Sequence, residues 1–216
     1  MWMSYGEIFS NYIFIKNFRN SNLVDNIKID GVDILENIIK EKKPVVFISG
    51  HFNNFELMAM CLEKNGINLA AIYRPLNNLF LNPIMEYIRK KFICSKQVPK
   101  GINGTKKILQ YFKNGSSIAL MIDQRVTQGI KCKFFGKDAY TTTIPAQFFK
   151  KFKSDVVPVY IERRDNLTFY LKIYKPIKFN EAETIENITL KLNKILEEMI
   201  IKNPSQWIWT HNRWKL

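Results

Sequence analysis

Short apolar runs that alternate with amphipathic stretches constrain this chain more than any other feature. GVDILENIIKEKK has a helical pattern, with Ile34, Ile38 and Ile39 on one side and Pro44 helping to stop it. VVFIS then reads as a short buried strand. FNNFELMAMCLEKNG follows as a helix closing at Gly66, a glycine suited to a C-terminal cap. INLAAIYRP reads as a second strand ending at Arg74 and Pro75, and LNPIMEYIRKKF as a helix with Pro83 near its first turn. GINGTKKILQYFKNG is another helix bounded by glycines, and SSIALMID is a third strand with Asp123 at its carboxyl end. Helix and strand in regular succession predict an α/β fold, with a mostly parallel central sheet flanked by helices on both faces. VVPVYIERR and LTFYLKIY add two strands, joined near Asp165 and Asn166 as an antiparallel hairpin toward the C-terminal end. ETIENITLKLNKILEEMIIKN is the clearest amphipathic helix, and the aromatic, basic segment PSQWIWTHNRWK closes the chain.

A chain of 216 residues is enough for one substantial core. A hydrophobic content of 46% excludes wholesale disorder. Lys and Arg outnumber Asp and Glu by 33 to 19, which favours anionic partners. The charge alone does not choose among nucleic acid, an acidic membrane surface and a phosphorylated substrate. Sixteen Phe, nine Tyr and four Trp tilt the choice toward a membrane surface, and no nucleic-acid motif supports the alternative. Cys61, Cys94 and Cys132 are too few and too widely spaced for a disulfide framework or a zinc motif, so a reducing compartment is expected. No apolar stretch reaches the roughly eighteen residues of a membrane span. MWMSYGEIFSNYIFIKNF reads poorly as a signal peptide, and is compatible with a core helix or with the stub of a longer membrane-contacting region.

Polar residues collect where the predicted strands end. His51 follows VVFISG at a strand-to-helix turn, and Glu56 comes five residues later. On a regular helix five positions differ by roughly 140°, so the two meet only if His51 occupies the turn and Glu56 the first helical turn. A neutral imidazole there can take a proton from a hydroxyl while a carboxylate fixes its tautomer. A capping cluster with Asn53 and Asn54 is the structural alternative. Arg74 and the IDQR segment, with Asp123, Gln124 and Arg125, reach the same carboxyl edge if the strands are parallel, and that edge is the usual ligand face. Ordinary turn residues would look the same. FFGKDAYTTTIPAQFFKKF combines a glycine turn with a threonine run before Pro145, whose N–H groups and hydroxyls suit an anion. Its interleaved Phe148, Phe149, Phe152 and lysines suit either shallow membrane contact or core packing with snorkelling lysines. Ser49 lacks a nucleophile-elbow motif and Cys94 has no assigned base, so direct attack by a substrate hydroxyl fits better than a covalent intermediate. His211, between Trp209 and Trp214, reads as packing or membrane-edge chemistry.

Four blocks in order, GHFNNFE, IYRP, the segment ending in IDQR, and FFGKDAYTTTIPAQFF, together with the terminal WIWTHNRWK, resemble the bacterial lipid A biosynthesis acyltransferases. The resemblance covers nearly the whole chain. It implies a glycerolipid-acyltransferase-like fold over a single domain, residues 1–216, and the chain departs from the family in showing no N-terminal membrane helix. It implies His51 as general base and Glu56 as its orienting partner. It implies substrate contacts from Asn54, Arg74, Asp123, Gln124, Arg125, Gly136 and Thr141. The implied reaction moves a fatty acyl group from acyl carrier protein to a hydroxyl of a phosphorylated glycolipid, with acyl-ACP as donor and with no metal or other cofactor. The implied setting is an anionic membrane surface, at the cytoplasmic face of the inner membrane. Another glycolipid or a glycerophosphate acceptor, and a noncatalytic membrane-binding role, are the alternatives.

Overall fold

The computed structural model describes residues 2–165, 167–209 and 211–215, with side chains from Gly6 onward. Its centre is a seven-stranded sheet in the order β1-β9-β8-β2-β5-β3-β4. The expected parallel strands are β2 (Val46–Ser49), β3 (Leu69–Tyr73) and β5 (Ser117–Met121), and β2 and β3 flank β5. β8 (Val156–Asp165) and β9 (Thr168–Ile173) form the expected antiparallel hairpin, while β8 joins β2 in parallel. Asn166, expected at the hairpin turn, lies outside the described residues.

Two edge strands carry no clear sequence signal. β1 (Ile27–Asp30) adds to β9, and β4 (Lys96–Pro99) adds to β3, both in parallel. A separate antiparallel pair, β6 (Ile130–Phe134) and β7 (Lys137–Thr141), occupies the stretch expected to be a loop. Gly136 sits in its turn at φ +74, a left-handed conformation that favours glycine.

The helices are α1 (Trp2–Asn20), α2 (Val32–Glu41), α3 (Phe55–Lys64), α4 (Leu81–Ile88), α5 (Ile102–Lys113), α6 (Ile144–Phe152) and α7 (Ile185–Lys202). α3 ends as expected: Gly66 adopts φ +92 and its N–H reaches the Glu63 carbonyl. α7 starts at Thr184, whose hydroxyl accepts from the Asn187 N–H, and stops before Pro204. α4 runs on through a π-helical turn, Arg89–Ile93. At the start of α5, Gly104 lies so close to the Pro99 carbonyl that a Cβ would sit 2.0 Å from it, so a side chain there would push α5 off β4.

The core gathers around β2, which is buried along its length, with β5, β8 and the inner faces of α3 and α7. Two expectations change. Leu35 and Ile38 form the buried face of α2, and Ile39 is exposed, because the sheet is met by one narrow stripe of that helix. Phe148 and Phe149 of α6 are buried against Phe112 and Phe179, so core packing accounts for that aromatic run and the membrane reading of it falls. α1 buries Ile8, Ile15 and Phe18 and exposes Phe9 and Ile13. Among the described residues no helix is long and apolar enough to cross a membrane.

Candidate active site

Strand register brings two polar residues together. Ser49 of β2 and Met121 of β5 are direct partners, and His51 and Asp123 each lie two residues further on. Both therefore leave the carboxyl edge of the sheet at the same height. The His51 Nδ1 lies 2.7 Å from Asp123 Oδ1, and the His51 backbone N–H donates to Asp123 Oδ2 at 2.9 Å. Trp207 Nε1 donates to the same Oδ2 at 2.9 Å. Asp123 is buried, while 21% of the His51 side chain remains accessible.

Burial pulls the His51 pKa down, but the charge and hydrogen bond of Asp123, with a smaller push from Glu56, carry it above the ordinary histidine value. For Asp123, burial pushes up, and the imidazole, the His51 N–H and Trp207 bring its carboxyl below the usual range. With the carboxylate accepting from Nδ1–H, Nε2 is left as the basic nitrogen.

The carboxylate bonded to the His51 imidazole is thus Asp123, and Glu56, expected to meet that ring, does not bond it. Glu56 points across the first turn of α3 and accepts from the Tyr12 hydroxyl of α1 and from Arg89 Nε at 2.9 Å. The physical reason is its partner's strength: the buried guanidinium of Arg89 forms an ion pair with it, and Arg89 is held above its usual pKa by this carboxylate against the cost of burial. Glu56 still belongs to the same cleft and acts on His51 through space.

The cleft has a volume of about 500 Å³. His51, Glu56, Arg74 and Gln124 line it as expected. Its floor is built of small alanines beside one buried glutamine. Gln97, Ala71 and Ala119 are adjacent register partners across β4, β3 and β5, and Ala59 of α3 faces the same space. The same row continues to Phe47 of β2, which is fully buried.

The remaining expected substrate residues lie elsewhere. Asn54 is buried at the start of α3, with φ 53 and its Nδ2 unpartnered in a buried position. The Arg125 side chain stacks on Tyr140 rather than lining the cleft. Gly136 is exposed in the β6–β7 turn. Thr141 is buried and accepts from Arg213 at 2.7 Å and from Asn193 at 3.2 Å, so its hydroxyl serves packing.

Three contributors carried no local signal. Arg89 is one of three consecutive cations, and only the fold separates it from Lys90 and Lys91. Tyr12 arrives from α1. His211 is the chain's other histidine, and that rarity was the one available hint. It lines the cleft, and its Nε2 accepts from the Arg125 N–H at 2.8 Å. Burial, then the Arg213 and His51 charges, hold its pKa below the ordinary value against the opposing pull of Asp123. The closing segment brings it there: Ile208 N–H donates to the His51 carbonyl at 2.9 Å, and Asn53 N–H to Gln206 at 2.8 Å.

The fold is similar to the crystal structure of the 1-acyl-sn-glycerophosphate (LPA) acyltransferase, PlsC, from Thermotoga maritima. That comparison has a TM-score of 0.52 and 14% identity, and covers 93% of this chain and 81% of that one. The chain belongs to the bacterial lipid A biosynthesis acyltransferase family, whose model matches residues 1–216. It is 25% identical over 198 residues to the lipid A biosynthesis palmitoleoyltransferase of Escherichia coli (strain K12), covering 87% of this chain and 61% of that protein. It is 24% identical over 191 residues to a lipid A biosynthesis acyltransferase of Haemophilus influenzae, covering 87% and 60%. The chain thus spans about three fifths of the length of these curated relatives.

Proposed function

We propose that this protein transfers a fatty acyl group from an acyl carrier protein thioester to a hydroxyl of a phosphorylated lipid A precursor, at an anionic membrane surface on the cytoplasmic face of the inner membrane. The observation that carries the reading is the His51–Asp123 pair at the wall of a cleft whose floor is lined by small alanines. Family membership supports the acyl chemistry.

In this mechanism His51 Nε2 takes the proton of the acceptor hydroxyl as its oxygen attacks the thioester carbonyl. Asp123 holds the ring and stabilises the imidazolium that forms. The tetrahedral intermediate collapses, the carbon–sulfur bond breaks, and the thiolate takes the proton back from His51. An ester and a free thiol result. Arg74 supplies positive charge in the cleft for the oxyanion or for an acceptor phosphate, while the Arg89 charge is balanced by Glu56. The small-residue row takes the acyl chain, and Phe47 limits its depth.

A covalent intermediate is disfavoured by the available nucleophiles. Ser49 is buried and bonded to the neighbouring Gly50 carbonyl. The buried Cys94 thiol donates to the Leu69 carbonyl, and burial pushes its pKa to about 12.

The test is a screen of acyl-ACP and acyl-CoA donors against glycolipid and glycerophosphate acceptors, with products read by mass. Wild-type protein should give one ester product class, and His51→Ala should give none while melting at a similar temperature. Equal product from His51→Ala removes the general base, and lipid binding without product from any donor leaves a noncatalytic role.

A further inference from the structure

The cleft wall at Arg74–Asn77 runs directly into a segment with an unusual surface. Leu79 and Phe80 are 83% and 88% exposed, and Ile84 and Tyr87 of α4 are 56% and 57% exposed. Phe80, Ile84 and Tyr87, spaced four and three residues apart, form one stripe along the helix. The opposite side of α4 is pinned to the fold. Met85 is buried, Asn82 accepts from the Leu76 N–H at 2.7 Å, and Asn82 donates to Glu86 at 2.8 Å. The apolar stripe is therefore presented by a fixed helix rather than by a loose end.

Charge says what this face meets. Between Arg74 and Asp123 the only acidic residue is Glu86, against eight lysines and arginines. Glu86 sits on the pinned side, bonded to Asn82 and 3.8 Å from the exposed Lys90 Nζ, while Lys91 is exposed at the end of the stripe. Lys91 bonds the Tyr87 hydroxyl at 2.6 Å, which places a cation beside the aromatic ring. An apolar stripe bordered by lysines is complementary to an interface of acyl chains and anionic headgroups.

We propose that Leu79–Lys91 is an interfacial anchor, with Leu79, Phe80, Ile84 and Tyr87 entering the headgroup boundary of an anionic bilayer and Lys90 and Lys91 resting on its phosphates. The anchor turns the adjoining cleft wall toward the bilayer, so an amphiphilic acceptor reaches His51 without leaving the interface. This deepens the membrane-surface reading above and rests on it for the lipid substrate, but the binding test does not depend on turnover.

The test uses vesicles of phosphatidylcholine, with and without phosphatidylglycerol, in a sedimentation assay. Phe80→Ser with Ile84→Ser should lower partition onto the anionic vesicles by at least about tenfold, because burial of either side chain is worth that much. Lys90→Gln with Lys91→Gln should lower it roughly 25-fold, about fivefold per charge, with little change on phosphatidylcholine alone. Cys61, Cys94 and Cys132 are buried, so Leu79→Cys can be labelled selectively with a polarity-sensitive dye whose emission should shift blue on anionic vesicles. Turnover of detergent-dispersed substrate should be unchanged in the Phe80 and Ile84 variant, which does not line the cleft. Wild-type partition by that variant, or a dye that stays in water on bound vesicles, overturns the proposal. Concentration-dependent dimers that the variant abolishes, without vesicle binding by wild type, assign the face to a second copy and also overturn it. If no donor and acceptor react at all, the acyl-transfer reading fails while the partition data still decide the anchor.

Discussion

Asp123→Asn separates the pairing seen in the structure from the one the sequence suggests. Two N–H donors, from the His51 backbone and Trp207, converge on Asp123 Oδ2. An asparagine must keep its carbonyl oxygen there, which turns its NH2 toward His51 Nδ1. Nδ1 must then accept, the ring proton moves to Nε2, and the base is lost with the geometry intact. Where a buried aspartate orients a base histidine, this inversion costs about 10⁴ in kcat, or about 5.4 kcal/mol at 1.36 kcal/mol per factor of ten. Glu56→Gln keeps acceptors for Tyr12 and Arg89 and does not touch the imidazole, so its kcat should stay within about tenfold of wild type. The assay is single-turnover acyl transfer read by mass, with circular dichroism melts to confirm folding. The acid limb of the wild-type pH profile should lie above the ordinary histidine value of about 6.5, because His51 must be neutral to act and its pKa is raised. Residual activity of Asp123→Asn should titrate lower, since burial remains and the raising charge is gone. Asp123→Asn within about threefold of wild type, or Glu56→Gln falling as far as Asp123→Asn, refutes the argument.

Further expectations concern stability and chain length. His51 is raised on folding, so its pairing stabilises fully below about pH 6.5 and fades as pH rises through the raised value. Asp123 is lowered, so its contribution is present above about pH 4 and fades as pH falls through the depressed value. The unfolding free energy of wild type minus Asp123→Asn, measured by urea titration across pH, should therefore peak between those limits; a flat difference would contradict the pair. Arg89→Met leaves the Glu56 carboxylate buried without its cation and should cost about 3–5 kcal/mol in urea unfolding, with Glu56→Gln in the same chain recovering more than half. Ala119→Phe fills the cleft floor beside Ala71 and should shift the product to shorter acyl chains, each excluded methylene being worth about 1–3 kcal/mol. An unchanged chain-length profile would place the acyl group elsewhere.

What the sequence made legible was local. The runs at Val46–Ser49, Leu69–Tyr73 and Ser117–Met121 declare themselves by apolar density, and their carboxyl ends deliver His51, Arg74 and Asp123 to one edge. Which strand neighbours which is not local. The placement of β5 between β2 and β3 decides that Asp123 meets His51, and no periodicity encodes that adjacency. β4 is short and ends in Pro99, and β1 alternates half-buried with exposed residues, so neither edge strand has the apolar run that marks a central one. His211 and Trp207 reach the site from a segment with no regular period, held by backbone bonds to the His51 turn.

The same distinction explains why a histidine and a glutamate five residues apart take different bonding partners here. Spacing fixes only that both face one cleft; the choice of partner follows from competition among buried charges. Asp123 has two N–H donors and an imidazole but no permanent cation bonded to it, so the imidazole is the group that can balance its charge. Glu56 already has the Arg89 guanidinium, and a second cation beside it would leave positive charge buried in excess. Through Tyr12 and Arg89 the Glu56 carboxylate instead ties α1 and the π-helical end of α4 to the start of α3. Loss of that carboxylate should therefore register first as a loosened cleft wall, and in activity only through substrate positioning, so that KM rises more than kcat falls.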